Sequence, residues 1–375
     1  MAGWQSTLEA VVMAVDSAIA NNFEALRGRH VFVTGHTGFK GAWLTTMLHR
    51  LGCRVSGFSL PPEAENALFS RLGLADSMAG CTFGDIRDAA SLRHALTVAA
   101  PEIVMHLAAQ SLVRRSYGDA QGTWATNVMG TVNLLEAVRQ CPSVKAVLVV
   151  TTDKCYDNKE WSWGYREVDA LGGHDPYSAS KAGTELVAHS YRKSFFEASG
   201  VLLATARAGN VIGGGDWSED RLLPDAARAV LAGRPLAIRN PGATRPWQHV
   251  LDCLGGYLLL VSALVRDNRE AACAFNFGPT TDGNVAVGEM LSKLQPHWPG
   301  LTWQLAANDG GKPAPHEAGA LYLDSSRARL VLGWKPHWSL AIALEKTAAW
   351  YREVAINPAQ ATTFSQRQIE EYLST

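Results

Sequence analysis

A glycine-rich turn between an apolar run and a helical pattern constrains this chain more than any other feature. The apolar run from Val31 to Val33 is followed by Gly35, Gly38 and Gly41. Large apolar residues then recur at helical spacing, at Phe39, Trp43, Leu44, Met47, Leu48 and Leu51. This order predicts a strand, a tight turn and a helix. Although glycine triplets also occur in plain turns, this context indicates a turn that holds the phosphates of a dinucleotide.

Each glycine has a physical role in such a turn. Gly35 permits the sharp change of direction, Gly38 lets a pyrophosphate approach the backbone, and Gly41 lets the helix lie close to the sheet. The first N–H groups of the helix and the positive end of its dipole then face the phosphates.

Composition limits the class of protein. The 375 residues are 47% hydrophobic and 18% charged, with a formal net charge of −1, so no global field recruits nucleic acid or an acidic membrane. The six cysteines form no C-x-x-C pair, which favours free thiols in the cytoplasm and gives no support to a metal site. No apolar run is long enough to span a membrane. Glu9 and Asp16 interrupt the apolar N-terminus, which therefore predicts an amphipathic helix packed on the core rather than a signal peptide.

Further short apolar runs predict the strands of an α/β fold. They occupy residues 54–59, 81–83, 102–110, 145–151 and 201–207. With the first strand they predict a Rossmann-type doubly wound parallel sheet over residues 29–208, which binds the dinucleotide. From Gly209 the elements become shorter and richer in Pro and Trp, which predicts a smaller C-terminal α/β substrate lobe over 209–375, interleaved with the first domain. Residues 1–28 are expected to form a helical extension.

Residues at predicted strand ends are candidates for cofactor contacts. Ser59 stands where an acidic residue often holds the ribose, which weakens any choice between NAD and NADP. Asp85 follows the third strand and is expected to accept from adenine, whereas Asp88 is expected to cap the next helix. Ala108 and Ala109 are small enough for the backbone to pass close to a cofactor.

A second polar cluster follows the fifth strand and points to catalysis. Thr152, Asp153 and Lys154 come directly after a valine-rich run, at the edge of the sheet where ligands bind, although a simple loop has the same appearance. Tyr177 and Lys181 lie on one face of a helix that begins at Pro176. A neighbouring ammonium lowers the pKa of a tyrosine, so Tyr177 is a plausible base.

Three other polar residues have a second interpretation, in which they bind no ligand. Asn127 lies among apolar residues in a helix predicted over 118–139, where a surface asparagine is the alternative. Arg245 and His249 are expected to bind a substrate phosphate, or to belong to a surface loop. The residues at 315–317 form a second polar cluster of the C-terminal lobe, for which a surface loop is the simple interpretation.

These motifs together resemble a known family. Tyr177, Lys181, Asp85 and the glycine turn are typical of extended short-chain dehydrogenases/reductases. The chain is similar to the CDP-glucose 4,6-dehydratases of that family in VTGHTGFKG (33–41), HLAAQSLVRRSY (106–117), TDKCYDN (152–158), WGYRE (163–167), GNVIGGGDW (209–217) and RPWQHV (245–250). The resemblance runs from about Gly28 to Tyr351 and leaves the N-terminal helix outside.

The resemblance implies a reaction that converts CDP-D-glucose to CDP-4-dehydro-6-deoxy-D-glucose with bound NAD. Tyr177 takes the proton of the 4-hydroxyl while carbon 4 gives up a hydride, and Thr152 hydrogen-bonds the 4-oxygen. Asp153 is the acid for loss of water from carbon 6, to which the hydride returns. Lys181 orients the nicotinamide ribose and tunes Tyr177. Lys154 stands where dTDP-glucose enzymes carry a glutamate base, and its role as base or as electrostatic group is open, because a lysine base needs a lowered pKa.

The resemblance also implies the binding residues. Those expected around NAD are Gly35, Thr37, Gly38, Phe39, Lys40, Gly41, Ser59, Asp85, Ile86, Leu107, Ala108, Ala109, Tyr177 and Lys181. Those expected around CDP-glucose are Gln110, Ser111, Asn127, Asn210, Arg221, Arg245 and His249. Relatives pair through two long helices, so a homodimer or larger homo-oligomer is expected. The residues that read the cytosine are not assigned.

Two alternatives remain. A nucleotide-sugar epimerase or decarboxylase shares the scaffold, but an epimerase has no need of the acid Asp153. A non-catalytic NAD-binding regulator would need neither Tyr177 nor Lys181, and the chain carries both.

Overall fold

The computed structural model describes residues 22–306 and 318–374, and a parallel sheet of seven strands lies at its centre. The predicted helix at the N-terminus and the 315–317 cluster lie outside the described residues. The strands of the sheet are β1 His30–Thr34, β2 Arg54–Ser59, β3 Gly80–Phe83, β4 Ile103–His106, β5 Ala146–Val150, β6 Leu202–Ala208 and β10 Ala274–Phe277. The smaller strands are β7 Asn210–Ile212, β8 Leu236–Ile238, β9 Thr244–His249, β11 Asn284–Ala286 and β12 Trp303–Leu305.

The strand order confirms the predicted doubly wound fold. It reads β10-β6-β5-β4-β1-β2-β3, and every neighbouring pair is parallel. Every residue of β5 is buried and apolar, as expected for a strand that is covered on both faces. The chain winds outward in one direction from β1 and in the other from β4, so a crevice opens at their carboxyl ends.

Helices cover both faces of the sheet. Those of eight residues or more are α1 Phe39–Arg50, α2 Ala89–Ala99, α3 Gly130–Arg139, α4 Pro176–Tyr191, α5 Leu222–Leu231, α6 Val250–Val265, α7 Val287–Leu294, α8 Leu340–Ile356 and α9 Ala361–Ser374. Shorter helices are Leu68–Arg71, Leu74–Ser77, Val113–Gly118, Ala120–Trp124, Glu197–Ser199 and Ser326–Leu332. One π-helical turn, Ala125–Met129, joins Ala120–Trp124 to α3, and another, Arg192–Phe196, follows α4.

Side chains fix where the important helices begin. Asp175 caps α4 by accepting from the Ser178 N–H at 2.9 Å, and Pro176 occupies the first turn, as predicted. Asp88 caps α2 by accepting from two N–H groups at 3.1 Å, which confirms its predicted role. The helix predicted over 118–139 begins at Ala120, because Asp119 caps it by accepting from the Gly122 N–H, and the π-helical turn Ala125–Met129 lies within it.

The fourth strand is shorter than predicted, since side chains take over its backbone partners. It ends at His106, after which the Ala108 N–H donates to Thr34 Oγ1 at 3.2 Å and the Gln110 N–H to Asn127 Oδ1 at 2.8 Å. The residues from 107 to 110 therefore form a loop at the carboxyl end of the sheet.

The C-terminal half of the chain shares a sheet and an apolar core with the first half. Two small sheets, β11-β9-β7 and β12-β8, flank the crevice, whereas β10 returns to pair with β6 at the edge of the main sheet. One continuous apolar core includes Val33 and Leu148 of the main sheet together with Leu254 of α6 and Trp350 of α8.

Two structural features are absent from the described part of the chain. None of its helices has the length and apolar character needed to cross a bilayer. It contains no group of three His, Cys, Asp or Glu side chains that could hold a metal ion.

Candidate active site

A cleft of about 1420 Å³ runs along the carboxyl ends of the central strands. Single-ligand pockets usually measure roughly 300–1,000 Å³, so this cleft has room for more than one ligand. The turn after β1, the loop after β4, the end of β5, the start of α4 and the segments around β7, β8 and β9 all line it.

The three glycines of the first turn have different structural roles. Gly35 has a φ of +77°, and a Cβ there would lie 2.7 Å from the Ala108 nitrogen. A Cβ on Gly41 would lie 2.0 Å from the Gly35 oxygen, so Gly41 lets α1 close against the turn. A Cβ on Gly38 would only reach 3.5 Å from the Gly35 oxygen, so the protein's own packing does not demand glycine there.

The empty side of Gly38 faces the cleft and fits an anion. Gly38 is the N-cap of α1 and has no side chain that could accept from the first helical N–H groups. These groups and the helix dipole favour a phosphate at this position. Phe39, Lys40 and Gly41 line the same part of the cleft, as predicted for a dinucleotide site.

The remaining predicted cofactor residues also line the cleft. The Ser59 hydroxyl lies 2.7 Å from Thr37 Oγ1, which donates to the Leu60 carbonyl at 2.9 Å. The Asp85 carboxylate accepts from the Arg87 side chain and N–H, and the hydrogen bond from the guanidinium lowers the pKa of Asp85. Ile86, Leu107, Ala108 and Ala109 complete this wall. An ionised Asp85 suits the adenine amino group, and that role stays a prediction.

Thr152 brings the two candidate proton-transfer groups together. Its hydroxyl acts to lower the pKa of Tyr177 at the start of α4, and its Oγ1 donates to Asp153 Oδ1 at 3.0 Å. Asp153 is 1% exposed, and its Oδ2 has no hydrogen-bond partner among the described residues. The Lys154 ammonium lies 3.8 Å from Asp153 Oδ1, with 32% of its side chain exposed. A base and an acid therefore flank one hydroxyl.

The predicted net lowering of the Tyr177 pKa is wrong, because burial outweighs the groups that lower it. Burial raises the pKa of Tyr177 to about 12, although the hydrogen bond with Thr152 and the charge of Arg221 act to lower it. Burial, with the nearby charge of Lys40, lowers the pKa of Lys181 to about 8. The Lys181 ammonium donates to the Val150 carbonyl at 3.1 Å. Spacing along a helix brings the two groups to one face, but it does not reveal that desolvation disfavours both charged forms.

Five of the predicted substrate residues line the cleft. They are Gln110, Ser111, Asn210, Arg221 and Arg245. An Arg221 nitrogen lies 3.5 Å from the Ser111 hydroxyl, and Arg245 donates to the Thr244 carbonyl at 2.9 Å. The side-chain amide of Gln110 bonds to the backbone of Leu112, so it shapes the wall of the cleft.

Asn127 requires a correction. It is 1% exposed and does not line the cleft. Its Oδ1 accepts from the Gln110 N–H at 2.8 Å, and its Nδ2 donates to the Gln110 carbonyl at 3.0 Å and the Ser180 hydroxyl at 2.8 Å. Asn127 is thus neither a substrate ligand nor a surface residue, and it ties the loop after β4 to α4.

His249 also requires a correction. It is fully buried and does not line the cleft. Its Nδ1 accepts from the Leu251 N–H at 3.2 Å, which makes it the cap of α6. Its ring packs against Trp43 and Trp338, with ring centroids 6.4 and 4.7 Å away.

Three charged residues at the substrate end were not predicted. Asp220 has a φ of +55°, and its Oδ1 lies 3.4 Å from an Arg114 nitrogen and 3.5 Å from an Arg239 nitrogen. All three line the cleft. The paired arginines in the motif 106–117 hinted at Arg114, but nothing local in the sequence indicated Asp220 or Arg239.

Comparison with known proteins places this geometry among nucleotide-sugar dehydratases. Residues 32–347 match the family model described as GDP-mannose 4,6 dehydratase. A CDP-glucose 4,6-dehydratase of Salmonella typhimurium is 45% identical over 354 residues, covering 93% of this chain and 97% of that protein. A dTDP-glucose 4,6-dehydratase of Streptomyces griseus is 30% identical over 86% of this chain and 94% of its own length.

A solved structure agrees in fold. The dTDP-glucose 4,6-dehydratase of Streptomyces venezuelae, determined with NAD and TYD bound, superposes with a TM-score of 0.71 at 27% identity. The match covers 88% of this chain and 99% of that one.

Proposed function

Since the chain belongs to the GDP-mannose 4,6 dehydratase family, we propose that it is an NAD-dependent dehydratase that converts CDP-D-glucose to CDP-4-dehydro-6-deoxy-D-glucose. The observation that supports dehydration in particular is the buried Asp153, whose Oδ2 lacks a partner beside the Thr152 and Tyr177 hydroxyls. An epimerase needs only the base, whereas loss of water also needs an acid.

The cofactor's place follows from the glycine turn. Bound NAD supplies the acceptor that takes a hydride from carbon 4 of the sugar and returns it to carbon 6. The N-terminus of α1 around Gly38 holds the pyrophosphate, and Asp85 holds the adenine. Lys181 orients the nicotinamide ribose from the floor of the cleft.

The reacting groups divide the proton transfers between them. Tyr177 takes the proton of the 4-hydroxyl, and Thr152 hydrogen-bonds the 4-oxygen. Asp153 donates a proton to the 6-hydroxyl, which leaves as water. The proton of carbon 5 passes to solvent water. Lys154, with its ammonium 3.8 Å from the acid, stabilises the negative charge that develops as this proton leaves. Arg221 and Arg245 bind the diphosphate of the substrate.

Isotope transfer tests the reaction. CDP-glucose carrying deuterium at carbon 4 is incubated with the enzyme in ordinary water, and the product is examined by NMR. We expect the label at carbon 6, because the hydride leaves one carbon and returns to the other within the same cleft, while carbon 5 gains a proton from solvent. Label retained at carbon 4, or a product that keeps its 6-hydroxyl, would indicate an epimerase or a simple dehydrogenase and would refute the proposal.

Gly38→Val should weaken NAD binding while the fold persists. The valine side chain would occupy the space that we assign to the pyrophosphate, at a cost of about 1–3 kcal/mol, which is roughly ten- to a hundredfold in affinity. Replacing a glycine N-cap destabilises the protein by no more than about 1 kcal/mol. Calorimetric titration with NAD and thermal unfolding measure the two effects. Gly41→Ala is the contrasting variant, because its Cβ would meet the Gly35 oxygen at 2.0 Å and destabilise the fold itself. Unchanged NAD affinity in Gly38→Val would contradict this placement.

We further propose that two copies of the chain pair through the helical layer formed by residues 120–139 and α4. This layer and the π-helical turn that follows α4 expose Trp124, Met129, Leu186 and Phe195, of which Leu186 is 60% exposed. Such an apolar face on two packed helices favours a second copy of the same face. Sedimentation should give the mass of two chains for the wild type and of one chain for Leu186→Glu. Leu330→Glu, which changes a leucine that is 86% exposed elsewhere, should leave the mass unchanged. A single-chain wild type would refute the pairing.

The free state of the cysteines supports a cytoplasmic location for the protein. All six cysteines are free, and burial raises the pKa of Cys53 to about 12, so it is protected from oxidation to a disulfide. Cell fractionation tests this location, and recovery outside the cytoplasmic fraction would refute it.

A further inference from the structure

A buried ion pair lies directly behind the reacting groups, and the proposed chemistry does not use it. Glu185 of α4 and Arg207 of β6 each have 4% of their side chain exposed. The guanidinium donates from Nε to Glu185 Oε1 and from Nη2 to Glu185 Oε2, both at 2.9 Å. This fork-to-fork geometry gives the pair a defined orientation.

The same carboxylate joins the two elements that carry the reacting residues. Glu185 lies four residues after Lys181 and eight after Tyr177, on the same face of α4. Its Oε1 also accepts from the Thr151 hydroxyl at 2.5 Å, and its Oε2 from the Thr205 hydroxyl at 2.8 Å. Thr151 directly precedes Thr152 and Asp153, so one side chain connects the helix of the base to the strand end of the acid.

The network continues beyond the pair and leaves none of its central polar groups without a partner. Arg207 Nη1 donates to the Tyr156 hydroxyl at 2.8 Å, and Tyr156 donates to Asn276 Oδ1 at 2.7 Å. A buried ion pair adds little net stability compared with apolar residues of the same volume, and in some proteins it instead fixes a single arrangement of its neighbours. This pair connects α4 to the strand end that carries Thr151, so the arrangement at issue is that of these two elements.

We propose that Glu185 is a positioning residue, which through Thr151 and Arg207 holds the Tyr177 helix in register with the strand end that carries Thr152 and Asp153. The inference rests on the proposed dehydration, in which Tyr177 and Asp153 act on the same sugar. Reacting groups displaced by about 1 Å can lose about a hundredfold in rate, so loosening this link should lower kcat more than it changes KM.

A matched pair of threonine variants tests the proposal without removing a buried charge. Thr151→Val and Thr205→Val each delete one donor to the same carboxylate, but only Thr151 adjoins the reacting residues. We expect Thr151→Val to lower kcat for CDP-glucose by about tenfold or more with KM unchanged, and Thr151→Ser to recover the rate. Thr205→Val should keep the wild-type kcat. The urea unfolding midpoints of the two valine variants should fall alike.

Each result has a distinct meaning. An equal loss of kcat in both valine variants, or no loss in either, would overturn the positioning role and leave only a contribution to stability. Absence of dehydration by the wild-type enzyme in the same assay would instead refute the proposed function. The direct variant, Glu185→Gln, leaves the Arg207 guanidinium buried without its counter-charge and endangers folding, which is why the threonines carry the test.

Discussion

Tyr177→Phe will bind NAD and CDP-glucose but will not oxidise carbon 4. The change removes only the phenolic oxygen on which Thr152 acts, and the buried ring can remain in place. General bases contribute about a hundred- to ten-thousandfold to rate, so the absorbance of reduced nicotinamide should fail to rise on the stopped-flow timescale, and formation of the keto sugar should fall by about the same factor.

Tyr191→Phe is the matched control for this change. Tyr191 lies at the other end of the same helix, where its hydroxyl donates to Glu136 at 2.7 Å, outside the cleft. The Tyr191→Phe variant should retain the wild-type rate of oxidation at carbon 4. Reduced nicotinamide formed by Tyr177→Phe at the wild-type rate would contradict the role of Tyr177 as base.

Asp153→Asn will stop the reaction one stage later. Oxidation at carbon 4 needs Tyr177, which this change leaves intact, whereas loss of water needs a proton that an amide cannot supply. Reduced nicotinamide should therefore appear and persist, while release of the 6-deoxy product falls by about a hundred- to ten-thousandfold. Stopped-flow absorbance and NMR of the product follow the two stages separately.

A neighbouring carboxylate provides the control. Asp157 also lines the cleft, but its side chain is 47% exposed and pairs with Lys159 at 2.8 Å. Asp157→Asn should complete both stages at the wild-type rate. If Asp153→Asn formed no reduced nicotinamide, or completed the reaction normally, Asp153 would not be the acid for water loss.

The sequence was sufficient for the elements of the fold that depend on local signals. The buried valine-rich β5, the Asp88 cap and the start of α4 at Pro176 follow from apolar runs and capping residues, and the structure confirms them. The end of β4 was predicted four residues too late, because Thr34 and Asn127, far away in the chain, supply the bonds that end it. Long-range contacts of that kind leave no local pattern.

The errors at the site have a related cause. Asn127 and His249 carry side chains that commonly bind ligands, but Asn127 bonds to the backbone of Gln110 and His249 Nδ1 accepts from the Leu251 N–H. Whether a polar side chain faces a cleft or a neighbouring segment depends on packing that spacing does not reveal. The raised pKa of Tyr177 has the same origin, since burial is a property of the whole fold.

The late return of β10 to the main sheet has a consequence for synthesis of the protein. On the ribosome, the strands from β1 to β6 emerge first, and the outer edge of β6 has no partner until residues 274–277 have been made. During that interval an apolar strand presents open backbone groups, which is the condition under which nascent chains associate edge to edge. We therefore expect the nascent chain to be most prone to such association while residues 209–273 are being translated.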